Sequence, residues 1–143
     1  AKRIGSQSLV CVLDLKKKFT NKNYRIYTNN GEKPSQLNLD EIILLAQEIG
    51  FGEILINSID KDGIMKGYDL DLVDRVFKLS NIPLTILGGA GCYKDFSGLF
   101  NKYKIIGAAA GSLFVFKGKY RAVLIQYPNH NEKSNILSNS IRN

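Results

Sequence analysis

The chain has 143 residues, 44% hydrophobic and 23% charged, which suits one domain with its own core and is too short for two comfortable ones. No stretch approaches the ~18 apolar residues of a membrane span, and Ala1-Lys2-Arg3-Ile4-Gly5 leads into polar residues rather than an apolar signal core, so the reading is a cytoplasmic protein with no membrane partner. Twenty Lys and Arg against thirteen Asp and Glu leave a net charge of +7, which attracts anions; without an RNP-like aromatic pattern, zinc-finger spacing or a helix-turn-helix, phosphorylated metabolites are favoured over nucleic acid.

In chain order, residues 8–13 (Ser-Leu-Val-Cys-Val-Leu) read as a buried strand ending at Asp14, followed by Lys16-Lys17-Lys18 in a loop. Tyr24-Arg25-Ile26-Tyr27 leads into Asn29-Asn30-Gly31, a tight-turn signal, so a small hairpin decorates that loop. From Asn38 the pattern turns helical: Asn38 can cap, Asp40 and Glu41 suit a first turn, apolar residues recur through Ile49, and Gly50 terminates. A second strand covers 53–58, with Ile54-Leu55-Ile56 at its centre, and changes abruptly into Asp60-Lys61-Asp62-Gly63. A helix over 70–79 is broken by Asn81-Ile82-Pro83; a third strand, 84–87, is closed by Gly88-Gly89-Ala90-Gly91. A helix follows over 93–101, then a fourth strand over 105–110 that ends at Gly111-Ser112. A last short helix is expected over 120–127, and the polar residues 129–143 are expected to form a disordered tail beyond a domain of residues 1–128.

Strands that alternate with helices through short connections imply an α/β fold with parallel strands. Four such units are half the eight of a closed barrel, and the length is a little over half the ~250 residues typical of one. Carboxyl ends of such strands carry chemistry. Gly63, Gly88-Gly89-Ala90-Gly91 and Gly111-Ser112 can present backbone N–H groups to a phosphate, although a glycine run by itself also makes an ordinary turn. Asp14 and Asp62 lie at strand ends where a carboxyl can act as general acid or base, with Lys16 two residues past Asp14; the alternative is a pair of surface aspartates. No metal set or cofactor motif is visible, Cys11 and Cys92 read as reduced, non-catalytic thiols, and His130 stands alone in the polar tail.

Four stretches together carry a family resemblance: G-S-Q-S-L-V-C-V-L-D, G-E-I-L-I-N-S-I-D-K-D-G, G-G-A-G and A-A-G-S-L-F. Over residues 5 to 117 the chain resembles the carboxyl-terminal half of the cyclase subunit of imidazole glycerol phosphate synthase, strands five to eight of a (β/α)8 TIM barrel built from two similar half-barrels. The sister isomerase of histidine synthesis is less similar, since it tends to carry an aspartate where this chain has Ser58 and a serine where it has Asp60. The resemblance implies an enzyme that takes a bisphosphorylated ribulosyl aminoimidazole carboxamide and ammonia, the ammonia coming from a glutaminase partner on the opposite face of the barrel. It implies Asp14 as one of two catalytic aspartates with Lys16 beside it, Gly63, Gly88, Gly89, Gly111 and Ser112 as phosphate holders, Asn57, Ser58, Asp60 and Asp62 in support, and Glu53 as an ammonia gate. No cofactor is implied.

Two departures qualify this. Leu87 stands where the family often has a serine before G-G-A-G, and K-G-K-Y-R-A-V-L-I-Q-Y-P replaces the long closing helix after Phe116, as in cyclase paralogues found with surface-polysaccharide genes. Those paralogues point to ammonia supply for sugar amidation. The family's other aspartate and second phosphate site belong to the first four strands, which this sequence does not contain, so the expected partner is the missing amino-terminal half-barrel or a second copy of the chain. A non-catalytic scaffold for the glutaminase is the reading from another class.

Overall fold

The computed structural model describes residues 3–18, 23–103 and 105–138. Six strands, β1 (Val10–Lys17), β2 (Tyr24–Thr28), β3 (Lys33–Pro34), β4 (Glu53–Ser58), β5 (Leu84–Leu87) and β6 (Gly107–Ala108), form one sheet in the spatial order β3-β2-β1-β4-β5-β6. The neighbours β1, β4, β5 and β6 are parallel, the α/β arrangement that the alternating pattern implies. Asn29, Asn30 and Gly31 all adopt left-handed backbone and turn β2 into β3, as the Asn-Asn-Gly signal indicates. The hairpin does more than decorate a loop, because β2 also pairs antiparallel with β1 from Asp14↔Tyr27 to Lys17↔Tyr24. That pairing carries β1 three residues past its expected end and takes Lys16 and Lys17 out of the loop.

Helices α1 (Leu39–Ile49), α2 (Leu70–Leu79) and α3 (Tyr93–Lys102) connect the parallel strands. At the start of α1, Asn38 Oδ1 accepts the Glu41 N–H at 2.8 Å and Glu41 Oε2 accepts the Asn38 N–H; Gly50, at φ 83, ends the helix. Asp69 caps α2 by accepting the Leu72 N–H. Their apolar stripes (Ile43 and Ala46, Leu72, Val73 and Val76, Phe96 and Leu99) join Leu13, Leu15, Ile54, Ile56, Leu84 and Ile86 in one core.

Strand residues point alternately to the two faces of a sheet, so register decides which side chains reach that core. Leu13, Ile56, Ile86 and Ala108 are cross-strand neighbours on the helix side. Val12, Leu55, Thr85 and Gly107 line up on the other face, with Asp14 opposite Asn57 and Asn57 opposite Leu87 one step further along. No helix covers that second face among the described residues: Val10 is 47% exposed and Val12 60%. Parallel sheets are normally covered on both sides, and here one face is open among the described residues.

Three expectations need correction. The fourth strand is confined to Gly107–Ala108. Where a helix was expected over 120–127, β7 (Phe116–Lys117) and β8 (Ala122–Val123) pair antiparallel after a one-turn helix, α4 (Ser112–Val115), because Gly118 at φ 71 turns the chain back. Part of the expected disordered tail is also ordered: His130–Ser138 forms α5, which buries Ile136 and whose Ile136 carbonyl accepts a bond from Ser97 Oγ on α3. Asn129 caps it by accepting the Glu132 N–H, a polar pattern that resembles a disordered tail in composition alone.

Adjacent residues on β1 should respond in opposite ways. Leu13→Ala empties a core position and should cost about 2–5 kcal/mol in urea unfolding. Val12→Asp should change stability by no more than about 0.5 kcal/mol, the usual range for a surface site. Equal large losses at both positions would contradict the assignment of faces.

Candidate active site

Asp14 and Asn57 are distant in sequence and become neighbours only through the β1–β4 register. Asn57 Nδ2 donates to Asp14 Oδ1 at 2.8 Å, which fixes the carboxylate on the open face near the carboxyl ends of the strands. Asn57 Oδ1 is buried and has no partner among the described residues. Gly88 is held against the same amide: at φ 94, a Cβ there would lie 3.2 Å from Asn57 Oδ1 and 2.5 Å from the Ser58 carbonyl oxygen, so only glycine fits.

The glycine loops meet one another. Gly67 N–H donates to the Gly89 carbonyl at 2.8 Å, and a Cβ on Gly89 would lie 2.3 Å from the Gly67 oxygen and 3.1 Å from Lys61 Cβ. Gly63, at φ 72, faces Ser112, whose Oγ is 3.9 Å from where a Gly63 Cβ would be. Tyr68 Oη donates to the Ala109 carbonyl at 2.8 Å and ties the loop after β4 to the loop after β6. Asp14, Asn57 and Gly88 thus touch in turn, Gly63 faces Ser112, and the loops that carry the two groups are tied through Gly67–Gly89 and Tyr68–Ala109. Gly111 stands in open space next to Ser112. Gly91 does not share the availability of its neighbours, because Asp95 Oδ2 accepts both its N–H and that of Cys92 at the start of α3.

Other expected site residues fall elsewhere. Lys16 shares the open face with Asp14, but its ammonium donates to the Gly31 carbonyl at 3.0 Å and stands 4.7 Å from the Tyr27 ring centroid. Ser58 points to the helix side and is buried; its backbone carbonyl, which accepts the Lys61 and Asp62 N–H groups, anchors the loop. Asp60 is exposed and accepts the Lys17 N–H at 2.7 Å, joining the ends of β1 and β4; together with Tyr68, Asp69 and Asp71 it lines a shallow cleft of about 440 Å³ by the start of α2. Asp62 is exposed, with no side-chain hydrogen bond among the described residues. Glu53 lies at the other end of the open face, where a depression of about 370 Å³ is also lined by Thr85, Ile105 and Gly107.

Among the described residues, no group of three or more His, Cys, Asp or Glu could hold a metal, and no helix is long and apolar enough to cross a membrane. Sequence reading passed over two residues. Tyr68, in K-G-Y-D, carries no motif of its own, and Arg121, whose Nη2 donates to the Gly63 carbonyl at 3.0 Å, lay in a stretch expected to be helical.

Burial, reinforced by the charge of Asp95, pushes the Tyr68 phenol up from its ordinary range. A phenol raised on folding favours the folded state fully below its unfolded value, roughly pH 10, and loses that contribution as pH rises through the folded value. Tyr68→Phe should therefore cost about 1 kcal/mol at neutral pH and lessen the alkaline loss of stability, read from urea unfolding at neutral and alkaline pH. An unchanged alkaline limb would show that burial does not hold the Tyr68 phenol in its protonated form in the folded chain.

The family model described as "Histidine biosynthesis protein" matches residues 1–121. A protein of Vibrio vulnificus, provisionally named imidazole glycerol phosphate synthase subunit hisF3, is 50% identical over 137 residues, 96% of this chain and 53% of the relative. A Leptospira interrogans protein with the provisional name imidazole glycerol phosphate synthase subunit HisF is 43% identical over 130 residues, 91% of this chain and 51% of the relative. The imidazole glycerol phosphate synthase subunit HisF of Natranaerobius thermophilus is 41% identical over 115 residues, 80% of this chain and 45% of the relative. The chain spans about half the length of these curated relatives. With its parallel strands, its open sheet face and this match, the chain belongs to the histidine biosynthesis protein family.

Proposed function

We propose that the chain is the carboxyl-terminal half of an ammonia-dependent cyclase of the imidazole glycerol phosphate synthase type. In this reading the open face is the interior of a (β/α)8 barrel, closed by an amino-terminal half-barrel. The observation that carries it is the Asp14–Asn57 pair, fixed on that face beside the glycine loops, with Glu53 at the far end of the same face.

Each part has a task. A phosphate of the bisphosphorylated ribulosyl aminoimidazole carboxamide rests on Gly63, Gly88, Gly89, Gly111 and Ser112, whose N–H groups are unobstructed by side chains. Phosphate anchoring holds the reacting carbons near Asp14, which moves a proton as general acid or base while the second aspartate acts from the other half. Asn57 keeps the carboxylate aimed. Ammonia, released by a glutaminase docked at the amino ends of the strands, passes Glu53 along the open face to the substrate. The products are imidazole glycerol phosphate and aminoimidazole carboxamide ribotide.

A second reading, ammonia supply for amidation of a surface-polysaccharide sugar, is favoured by the β7–β8 hairpin that stands where the family has a closing helix. The test mixes this chain with the amino-terminal half of a relative and measures ammonia-dependent cyclisation. Turnover is expected in the mixture, with a fall of about 10²–10⁴-fold for Asp14→Asn while binding of the two halves is retained. Undiminished turnover in the Asp14→Asn mixture would remove Asp14 from the chemistry. A folded mixture that binds glutaminase and turns nothing over would support the sugar-amidation reading.

A further inference from the structure

The segment after Phe116 ends up at the mouth of the site. β7 and β8 pair through Phe116↔Val123 and Lys117↔Ala122, and the Arg121 N–H donates to the Gly118 carbonyl at 3.1 Å in the turn between them. Arg121 holds φ 50, a left-handed backbone that is unfavourable for a non-glycine residue. Glycine or asparagine would occupy that position with less strain, so the side chain offers the reason to look for a role.

That side chain reaches across to the glycine loops. Nη2 donates to the Gly63 carbonyl at 3.0 Å, and the guanidinium carbon stands 4.8 Å from the Phe116 ring centroid, so hydrogen bond and ring together fix its plane. Gly63 in turn faces Ser112 Oγ. A guanidinium has five N–H donors, and among the described residues one of them is hydrogen-bonded, to Gly63. The glycine N–H groups and the Ser112 hydroxyl are neutral donors, whereas a phosphate monoester carries about −1.5 to −2 charge at neutral pH. A planar cation held beside Gly63 and Ser112 supplies the matching charge, and its fork suits two phosphate oxygens at once.

We propose that Arg121 is a phosphate-binding residue of this chain, delivered by the β7–β8 hairpin to the cradle formed by Gly63 and Ser112. This rests on the reading of the glycine loops as a phosphate site. The hairpin thereby adds a charged clamp to the neutral N–H and hydroxyl donors and selects phosphorylated small molecules over uncharged ones. The ammonium of Lys119, on the same turn, stands 5.9 Å from the Tyr120 ring centroid, so Lys119 serves as the control cation of the hairpin.

The test titrates the chain with inorganic phosphate by calorimetry and measures phenylglyoxal modification of individual arginines by mass spectrometry. Phosphate should bind saturably and slow modification of Arg121 but not of exposed Arg25. Arg121→Gln should weaken binding at least tenfold, Arg121→Lys by less, and Lys119→Ala not at all. Arg121→Asn, which tolerates the left-handed backbone, should match Arg121→Gln, so that a disturbed hairpin is not mistaken for a lost contact. Wild-type affinity in Arg121→Gln, or an equal loss in Lys119→Ala, overturns the proposal; if Ser112→Ala then still weakens binding, the cradle stands without the arginine. No saturable binding by the wild-type chain overturns the cradle and the clamp together.

Discussion

One register governs the molecule: Asp14 opposite Asn57, and Asn57 opposite Leu87. A slip of one residue in a strand would send its helix-facing side chains to the other face. With the observed register, Leu13, Leu15, Ile54, Ile56, Leu84 and Ile86 all meet the helices, and a slipped strand would withdraw its share of that core. The same register places Asp14 where Asn57 can hold it. Core stability and site geometry thus follow from one pairing.

The other consequence of that pairing is an unfinished face. Val10 and Val12 stay exposed, and β1 carries an unpaired edge wherever β2 does not reach, since the hairpin covers only Asp14 to Lys17. At the far side β6 is two residues long and Ile105 is 79% exposed. Unpaired edges and an uncovered apolar face both invite further protein, and a closed barrel satisfies both with one partner. Closure would also exclude water from the open face around Asp14, which strengthens electrostatic interactions there.

Much of this was legible in the sequence because local physics decided it. Asn38 and Gly50 bound α1 with their own side chain and backbone, Asn-Asn-Gly turns β2 into β3, and Ile54-Leu55-Ile56, cut off by Asp60-Lys61-Asp62-Gly63, is too short an apolar run for a helix. What escaped depended on contacts remote in sequence. The Asn57–Asp14 bond needs the strand register, the inward turn of Ser58 needs its parity relative to Leu15, and the capture of Lys16 by Gly31 needs the hairpin to fold over β1. The last segment misled for another reason. Its apolar run, Ala122 to Ile125, suits a helix or a strand equally, and the choice fell to Gly118 and to the pairing of Phe116 with Val123. The polar stretch from Asn129 concealed a helix because one buried residue, Ile136, is enough to dock it on α3.

The central claim, that the Asp14 face is a barrel interior awaiting its other half, is most directly tested by hydrogen exchange. The backbone amides of β1 at Val10–Leu13 that point away from β4, and those of β6 that point away from β5, would be followed in the chain alone and in a one-to-one mixture with a relative's amino-terminal half-barrel. Closure requires both edges to pair at once, so both should become protected on mixing, while β4 and β5 are protected from the start. A complex in which the two halves bind but either edge exchanges as freely as before would mean that they associate without closing a barrel.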